Sequence, residues 1–182
     1  SVLPTPNREI PLVCAGASPA GRQFVAQYAD HQFVLTSEDK LVGSVADIRA
    51  KAIETKRDVG IYALFHLIVA DSDQQARAEV DAIIAGADQG AISNILASAD
   101  LDTNADGTAE QLKAALDQDV ETGNMAFMGI PVIYGAPDTV VARIEAIVKR
   151  TRIDGMLFSW PDFVSGIERF GSEVLPALEL QT

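Results

Sequence analysis

The sequence is poor in cysteine and histidine, and this scarcity excludes two kinds of site. Its 182 residues include one cysteine and two histidines. The chain therefore cannot form an internal disulfide, and it has no cysteine–histidine cluster for a metal, so we expect no metal site. The lone Cys14 lies in an apolar stretch and is interpreted as a small buried hydrophobe. This cysteine usage suits a reducing compartment, and we expect a cytoplasmic protein.

Basic residues are scarce as well, and this limits the partners that the protein can have. Lysine and arginine number 14 against 26 aspartates and glutamates, for a formal net charge of −12. Such a surface repels DNA, RNA and anionic lipid, so we expect no nucleic-acid partner. The longest apolar run, residues 61–70, is too short to cross a bilayer, and we expect no membrane partner.

Several familiar motifs are missing. The sequence has no Walker loop and no Gly-x-Ser-x-Gly elbow. Residues 102–107 resemble the start of a calcium loop, but the twelfth position is Lys113 where a bidentate glutamate is needed, so we interpret them as a turn between helices. Residues 1–11 contain three prolines and are interpreted as an extended linker. A chain that starts at a serine in such a linker is expected to be a piece of a longer protein.

A strand, a tight turn and a helix are present near the start of the chain. Leu12–Ala15 is a short apolar run typical of a buried parallel strand, and Gly16 ends it. Ser18 followed by Pro19 is a helix-start signature, with a hydroxyl at the N-cap and proline at the first helical position. Such a turn can bind an anion through backbone N–H groups and the Ser18 hydroxyl. The pattern also fits an ordinary connection in an α/β domain.

Strands alternate with helices through the rest of the chain. Apolar runs at residues 33–36, 61–70 and 155–160 predict three further strands, separated by amphipathic helices. This order predicts right-handed crossovers and about four parallel βα units, with a helical insertion at residues 86–134 before the last strand. Two architectures fit this order: a small doubly wound sheet and half of an eight-stranded barrel. A full barrel does not fit, because it needs about 250 residues.

Three ring-bearing residues have open interpretations at this point. His66 interrupts an apolar strand and is interpreted as a hydrogen-bonded core or pocket-lining residue rather than a catalyst. His31 is interpreted as a solvated position before the second strand. Trp160 is expected either in the core or in a pocket wall. The Met/Phe/Gly stretch at residues 123–129 is expected to be a mobile apolar lid or a loop packed on the core.

Four segments together resemble the C-terminal half of the luciferase-like, flavin-dependent monooxygenases, over nearly the whole chain. Within that family they are most similar to the pyrimidine monooxygenases, with alkanesulfonate and dimethylsulfone monooxygenases as near neighbours. The segments are residues 13–18 with Gly21; residues 65–71 followed by 75–78; residues 134–140; and residues 154–158 with Phe170 and residues 174–176.

The resemblance implies strands five to eight of a TIM (β/α)8 barrel, as a single domain over residues 1–182 with residues 86–134 as a lid-bearing insertion. It also implies that reduced FMN and O2 oxygenate a small organic substrate such as a pyrimidine, with the flavin supplied by a separate NAD(P)H-dependent reductase. Ser18 matches the family's flavin-binding serine, and backbone groups at Gly16 and Ala17 are expected beside it. The catalytic residues stay unknown, because the family's first four βα units are absent.

Two other functions stay open, and the half-barrel interpretation has a consequence for assembly. The alternatives are a non-catalytic flavin- or phosphate-binding α/β domain and an inactive proteolytic fragment. The isolated chain is expected to be inactive. Open sheet edges and an apolar inner face predict a homo-oligomer or a companion N-terminal fragment. We expect that face to contain Leu12, Val13, Val34, Leu64 or its neighbours, and Leu157.

Overall fold

The computed structural model describes residues 7–16, 18–99, 101, 113, 115–116 and 118–179. In this part of the chain, parallel strands alternate with helices, as the sequence predicts. The strands are β1 (Val13–Cys14), β2 (His31–Val34), β3 (Gly60–Val69), β4 (Val132–Gly135) and β5 (Gly155–Ser159). The α-helices are α1 (Pro19–Tyr28), α2 (Glu38–Glu54), α3 (Asp73–Ala85), α4 (Gln89–Ala99), α5 (Pro137–Thr151) and α6 (Phe163–Arg169).

Four of the strands lie side by side in chain order, which is the arrangement of successive barrel strands. β1 pairs with β2, β2 with residues 60–63 of β3, and β5 with residues 62–66 of β3, all in parallel. This confirms the predicted half-barrel of about four parallel βα units. The helical insertion precedes the last strand, also as predicted.

The strand β4 was not predicted. It pairs with residues 66–69 of β3, whereas β2 pairs with residues 60–63. β2 and β4 therefore follow one another along the same edge of β3. Two backbone hydrogen bonds show this shared edge, because strand residues an even number apart direct their N–H groups to the same side. Gly60 N–H donates to the carbonyl oxygen of Asp30, next to β2, and His66 N–H donates to that of Pro131, next to β4. β4 is only four residues long and follows a proline, so its apolar pattern is too short to distinguish it from a loop.

The alternate residues of β3 face opposite sides of the sheet. Ile61, Ala63, Phe65 and Leu67 are buried against helices, chiefly α2 and α5, in the main hydrophobic core. Val34 pairs in register with Ala63 and joins the same core. The expectation that Val34 lies on the inner face was therefore wrong, since strand side chains alternate and the register fixes their side.

The inner face carries an aromatic pair at its amino-terminal end. His31 is the first residue of β2, is half-buried, and stacks on Tyr62 with ring centroids 4.7 Å apart. A Cβ on Gly60, its register partner, would lie 2.3 Å from His31 Nδ1, so only glycine leaves room for the imidazole. The interpretation of His31 as a solvated residue before the strand was wrong, because the sequence pattern placed the strand two residues too late.

A second, smaller core lies under the insertion. It joins the end of β3 to α3 and to the segment that leads into β4. Met125 and Phe127 are buried, so these side chains of the 123–129 stretch pack on the core. The members of this core are Ile68, Ala70, Ala76, Val80, Val120, Phe127 and Val132.

An ion-pair cluster joins α2 to α5. Glu38, in the first turn of α2, is 5% exposed. Its carboxylate accepts hydrogen bonds from Arg143 at 2.5 Å and from Arg150 at 2.9 Å. Arg150 also bonds the exposed Asp39.

None of the helices in the described ranges has both the length and the apolar character needed to traverse a bilayer.

Candidate functional site

The turn between β1 and α1 lies at the carboxyl ends of the parallel strands, where α/β folds place their ligands. Ser18 is the N-cap of α1, and its Oγ accepts a hydrogen bond from Gly21 N–H at 3.1 Å. Pro19 is the first helical residue and offers no N–H. Since the Ser18 hydroxyl has no acceptor among the described residues, its proton can donate to an anion while its oxygen caps the helix.

Two glycines bring the turn and the helix unusually close together. A Cβ added to Gly16 would lie 2.8 Å from the Cα of Gly21, and a Cβ on Gly21 would lie 2.9 Å from the Cα of Gly16. No larger side chain fits at either position without moving the backbone. The backbone on the two sides of the turn is therefore in direct contact, and Ser18 beside it is exposed.

A buried glutamine supports this turn from below. Gln32, on β2, is 3% exposed. Its Nε2 donates to the carbonyl oxygen of Gly16 at 2.9 Å. Its Oε1 is buried and has no hydrogen-bond partner among the described residues. Sequence reasoning missed Gln32, and the available signal was a polar residue inside a short apolar strand.

The start of α1 is electrostatically suited to an anion. The first turn of α1 has no acidic residue, as is also true of α4 and α6, whereas those of α2, α3 and α5 each have at least one. The first turn of α1 instead contains Arg22, which pairs with Asp47 at 3.1 Å. Of the predicted site residues, Gly16 and Ser18 lie at this turn, and Ala17 lies outside the described residues. The turn can therefore hold a phosphate through Ser18 and the helix N-terminus.

A second polar group lies on the inner face, toward the carboxyl end of β3. His66 Nδ1 is 2.8 Å from Ser159 Oγ on β5, and its ring lies 5.1 Å from that of Phe127. Burial lowers the pKa of His66 below its ordinary value. This agrees with the interpretation of His66 as a hydrogen-bonded core or pocket-lining residue, of which the structure shows the hydrogen bond. Ser159 was missed, because its role depends on the pairing of β3 with β5.

Trp160 belongs to the core. Its ring lies 5.7 Å from Phe163 and 6.5 Å from Phe170, in the aromatic layer between the sheet and the last helices. A Cβ on Gly166 would lie 2.4 Å from the indole, so α6 can approach only because that position is glycine. These contacts agree with the core alternative for Trp160, which is partly buried against the main hydrophobic core.

Two segments that carry the family resemblance are structural. Asp154 accepts a hydrogen bond from Ile61 N–H at 2.8 Å, which ties the start of β5 to β3. Asp73 accepts from Ala136 N–H at 2.8 Å, and this bond lowers the pKa of Asp73 below its ordinary value. Gly135 has a φ of +152°, and a Cβ there would lie 2.9 Å from the Asp73 carboxylate.

No group of three histidine, cysteine, aspartate or glutamate side chains lies close enough to hold a metal ion within the described ranges. The calcium-loop-like residues 102–107 lie outside those ranges.

Comparison with known proteins gives one family and several relatives. The family model described as luciferase-like monooxygenase matches residues 1–155. The chain is 30% identical to pyrimidine monooxygenase RutA from Escherichia coli, over 98% of this chain and 49% of the relative. The chain thus spans about half the length of the curated relatives that it matches.

Solved structures show the same fold. EDTA monooxygenase (EmoA) from Chelativorans sp. BNC1 superposes with a TM-score of 0.73 and 21% identity, over 95% of this chain and 45% of that one. The oxygenating constituent of 3,6-diketocamphane monooxygenase from Pseudomonas putida, solved in complex with FMN, gives a TM-score of 0.60 and 19% identity, over 93% of this chain and 48% of that one.

Proposed function

The chain belongs to the luciferase-like monooxygenase family, and we propose that it forms the C-terminal half of an FMN-dependent monooxygenase barrel. The observation that carries this proposal is the contact between Gly16 and Gly21 beneath the Ser18 cap. That contact lies beside the proposed anion-binding turn, at the carboxyl ends of the strands, where barrels of this kind place their ligands.

The residues of this turn fit the phosphate of FMN. Ser18 would donate its hydroxyl proton, and the first backbone N–H groups of α1 would donate beside it. Gln32 would keep the turn in place through Gly16. When bound, the reduced flavin would supply the reaction with O2, and these residues would supply binding and orientation only.

The proposed substrate is a small organic molecule of the pyrimidine class. Its support is the 30% identity to pyrimidine monooxygenase RutA from Escherichia coli, which extends over nearly all of this chain. Reduced flavin would come from a separate NAD(P)H-dependent reductase. The single cysteine, Cys14, suits a reducing cytoplasm, where we place the reaction.

The half-barrel is proposed to function with a partner that covers its two open edges. At the β1 edge, Leu12, Val13, Phe24 and Tyr28 are exposed. At the β5 edge, the exposed apolar residues are Leu157, Phe163, Val164 and Ile167. Exposed apolar surface at unpaired strand edges favours association. A polypeptide that supplies four further βα units, or a second copy of this chain, would bury both edges, and the isolated chain is expected to lack activity.

The direct test is a fluorescence titration of the complete barrel with FMN and with riboflavin. The two ligands share a ring system and differ by the phosphate. We expect FMN to bind more tightly by at least about tenfold, because charge-assisted hydrogen bonds are worth about 1.5–3 kcal/mol. Equal affinities would overturn the phosphate site at Ser18.

A further inference from the structure

We propose that His66 donates a hydrogen bond from Nε2 to a ring carbonyl oxygen of a planar cyclic amide bound at the mouth of the barrel. Ser159 holds the imidazole in the tautomer that this bond requires. This inference rests on the proposed function, since it names the group that recognises a ligand bound at the same end of the strands as the Ser18 turn.

The position of His66 favours a ligand contact. It lies on the inner face, beyond residues 60–63, where β3 pairs with β2, and therefore toward the carboxyl ends of the strands. Phe127 covers one side of its ring. The second ring nitrogen, Nε2, makes no hydrogen bond to a described residue, and His66 as a whole is half-buried. The imidazole is thus held at Nδ1, and Nε2 has no partner among the described residues.

The hydrogen bond with Ser159 is linked to the ring tautomer, because either group can donate. His66 Nδ1 is the one hydrogen-bond partner of the Ser159 hydroxyl among the described residues, which favours donation by the hydroxyl. If the hydroxyl donates to Nδ1, then Nδ1 is unprotonated and the proton of the neutral ring resides on Nε2. Burial lowers the pKa of His66, and no ion pair with His66 is present in the described ranges, so the ring is neutral near pH 7. A neutral N–H donor needs an acceptor, such as a carbonyl oxygen, and cannot bind a cation.

Two sources present this carbonyl at the barrel mouth. The flavin ring carries carbonyl oxygens, and so does a pyrimidine such as uracil. One strand, β2, separates β1 from β3, so these two strands lie roughly 10 Å apart across the sheet. The Ser18 turn and His66 both lie toward the carboxyl ends of these strands, so either ligand could meet His66 there.

The tautomer can be measured without any ligand. Nitrogen-15 NMR of the chain should show a protonated Nε2 and an unprotonated Nδ1 for His66 at pH 7. Ser159→Ala should shift the ring toward a tautomer mixture, whereas Ser159→Thr, which keeps the hydroxyl, should restore the wild-type pattern. A protonated Nδ1 in the wild type would overturn the donor role.

Ligand titrations separate the two sources. We would titrate the complete barrel first with oxidised FMN and then, at saturating FMN, with uracil. His66→Phe keeps a planar ring and removes the donor, so it should weaken one of the two ligands by about three- to tenfold. His66→Gln keeps an N–H and should recover part of the loss. His31→Phe, at the opposite end of the inner face, is the matched control and should change neither affinity.

The outcomes distinguish this inference from the function on which it rests. Weaker FMN binding identifies the flavin carbonyl as the acceptor, and weaker uracil binding alone identifies the substrate. Normal binding of both ligands by His66→Phe, with FMN binding still sensitive to Ser18→Ala, would overturn only the role of His66. Failure of the wild-type barrel to bind FMN would overturn the proposed function and this inference together.

Discussion

Gly16 and Gly21 approach so closely that a single methyl group on either would overlap the backbone of the other. Gly21 lies inside α1, where glycine ordinarily costs about 0.5–1 kcal/mol relative to alanine. Its presence there is explained by the contact with the turn.

Gly21→Ala should therefore destabilise the protein, although the higher helix propensity of alanine would by itself stabilise α1. We expect a loss of about 1–3 kcal/mol, because overpacking forces the backbone to shift. Gly43→Ala, in the interior of α2, is the matched control, since a Cβ there meets nothing within 4 Å. The control should gain about 0.5–1 kcal/mol. Urea unfolding measures both, and stabilisation by Gly21→Ala would contradict the contact.

The ion-pair cluster between α2 and α5 depends on Glu38. Glu38→Gln should lower the free energy of unfolding by about 1–2 kcal/mol, because it leaves Arg143 and Arg150 without the charge of a buried partner. The loss is no larger because both arginines are partly exposed. Asp39→Asn is the control, because this residue occupies the same helix turn with its side chain 74% exposed. It should cost less than about 1 kcal/mol. Equal losses in urea unfolding would show that Glu38 acts only through the helix terminus.

The lowered pKa of His66 predicts a pH dependence of stability. The unfolded chain takes up a proton at His66 near pH 6.5, and the folded chain does so only at lower pH. The unfolded state thus binds more protons as the pH falls below about 6.5, and stability decreases. Between pH 7.5 and 5.5, the wild type should lose more stability in urea unfolding than His66→Phe. An identical loss in both proteins would contradict a buried neutral His66.

The open edges predict association in solution. Light scattering should give a mass above the 19.4 kDa of one chain, or a denaturing gel should show a second polypeptide. Ile167→Lys, at a side chain 53% exposed on the β5 edge, should weaken the association. Ile53→Lys, on α2 at a side chain 76% exposed, should not change the mass. A monodisperse 19.4 kDa monomer with no companion would contradict the prediction.

Local signals predicted much of the fold. The Ser18–Pro19 pair marks the start of α1, and the long apolar run of β3 identifies the central strand, because both depend on short-range chemistry. Features that depend on pairing were not predicted. The side of the sheet on which Val34 lies and the placement of His31 follow from strand register, which the apolar pattern alone does not specify.

In the candidate site, too, the sequence predicted local features and missed those that depend on strand pairing. Ser18 and Gly16 were predicted because the cap and the end of the strand are read along the chain. Gln32, Ser159 and the contact of Gly21 with the turn were not, since each depends on residues that become neighbours only in the folded sheet.

The central claim is that the Ser18 turn binds the phosphate of FMN, and Ser18→Ala tests it most directly. The substitution removes one charge-assisted hydrogen bond, worth about 1.5–3 kcal/mol, which corresponds to roughly a ten- to hundredfold loss of FMN affinity. It also removes a helix cap, at a cost of about 1 kcal/mol, so stability alone cannot decide. The measurement is a fluorescence titration of the complete barrel, wild type and Ser18→Ala, with FMN and with riboflavin. The account predicts a loss of FMN affinity with riboflavin affinity nearly unchanged; an equal effect on both ligands, or no effect on either, would contradict it.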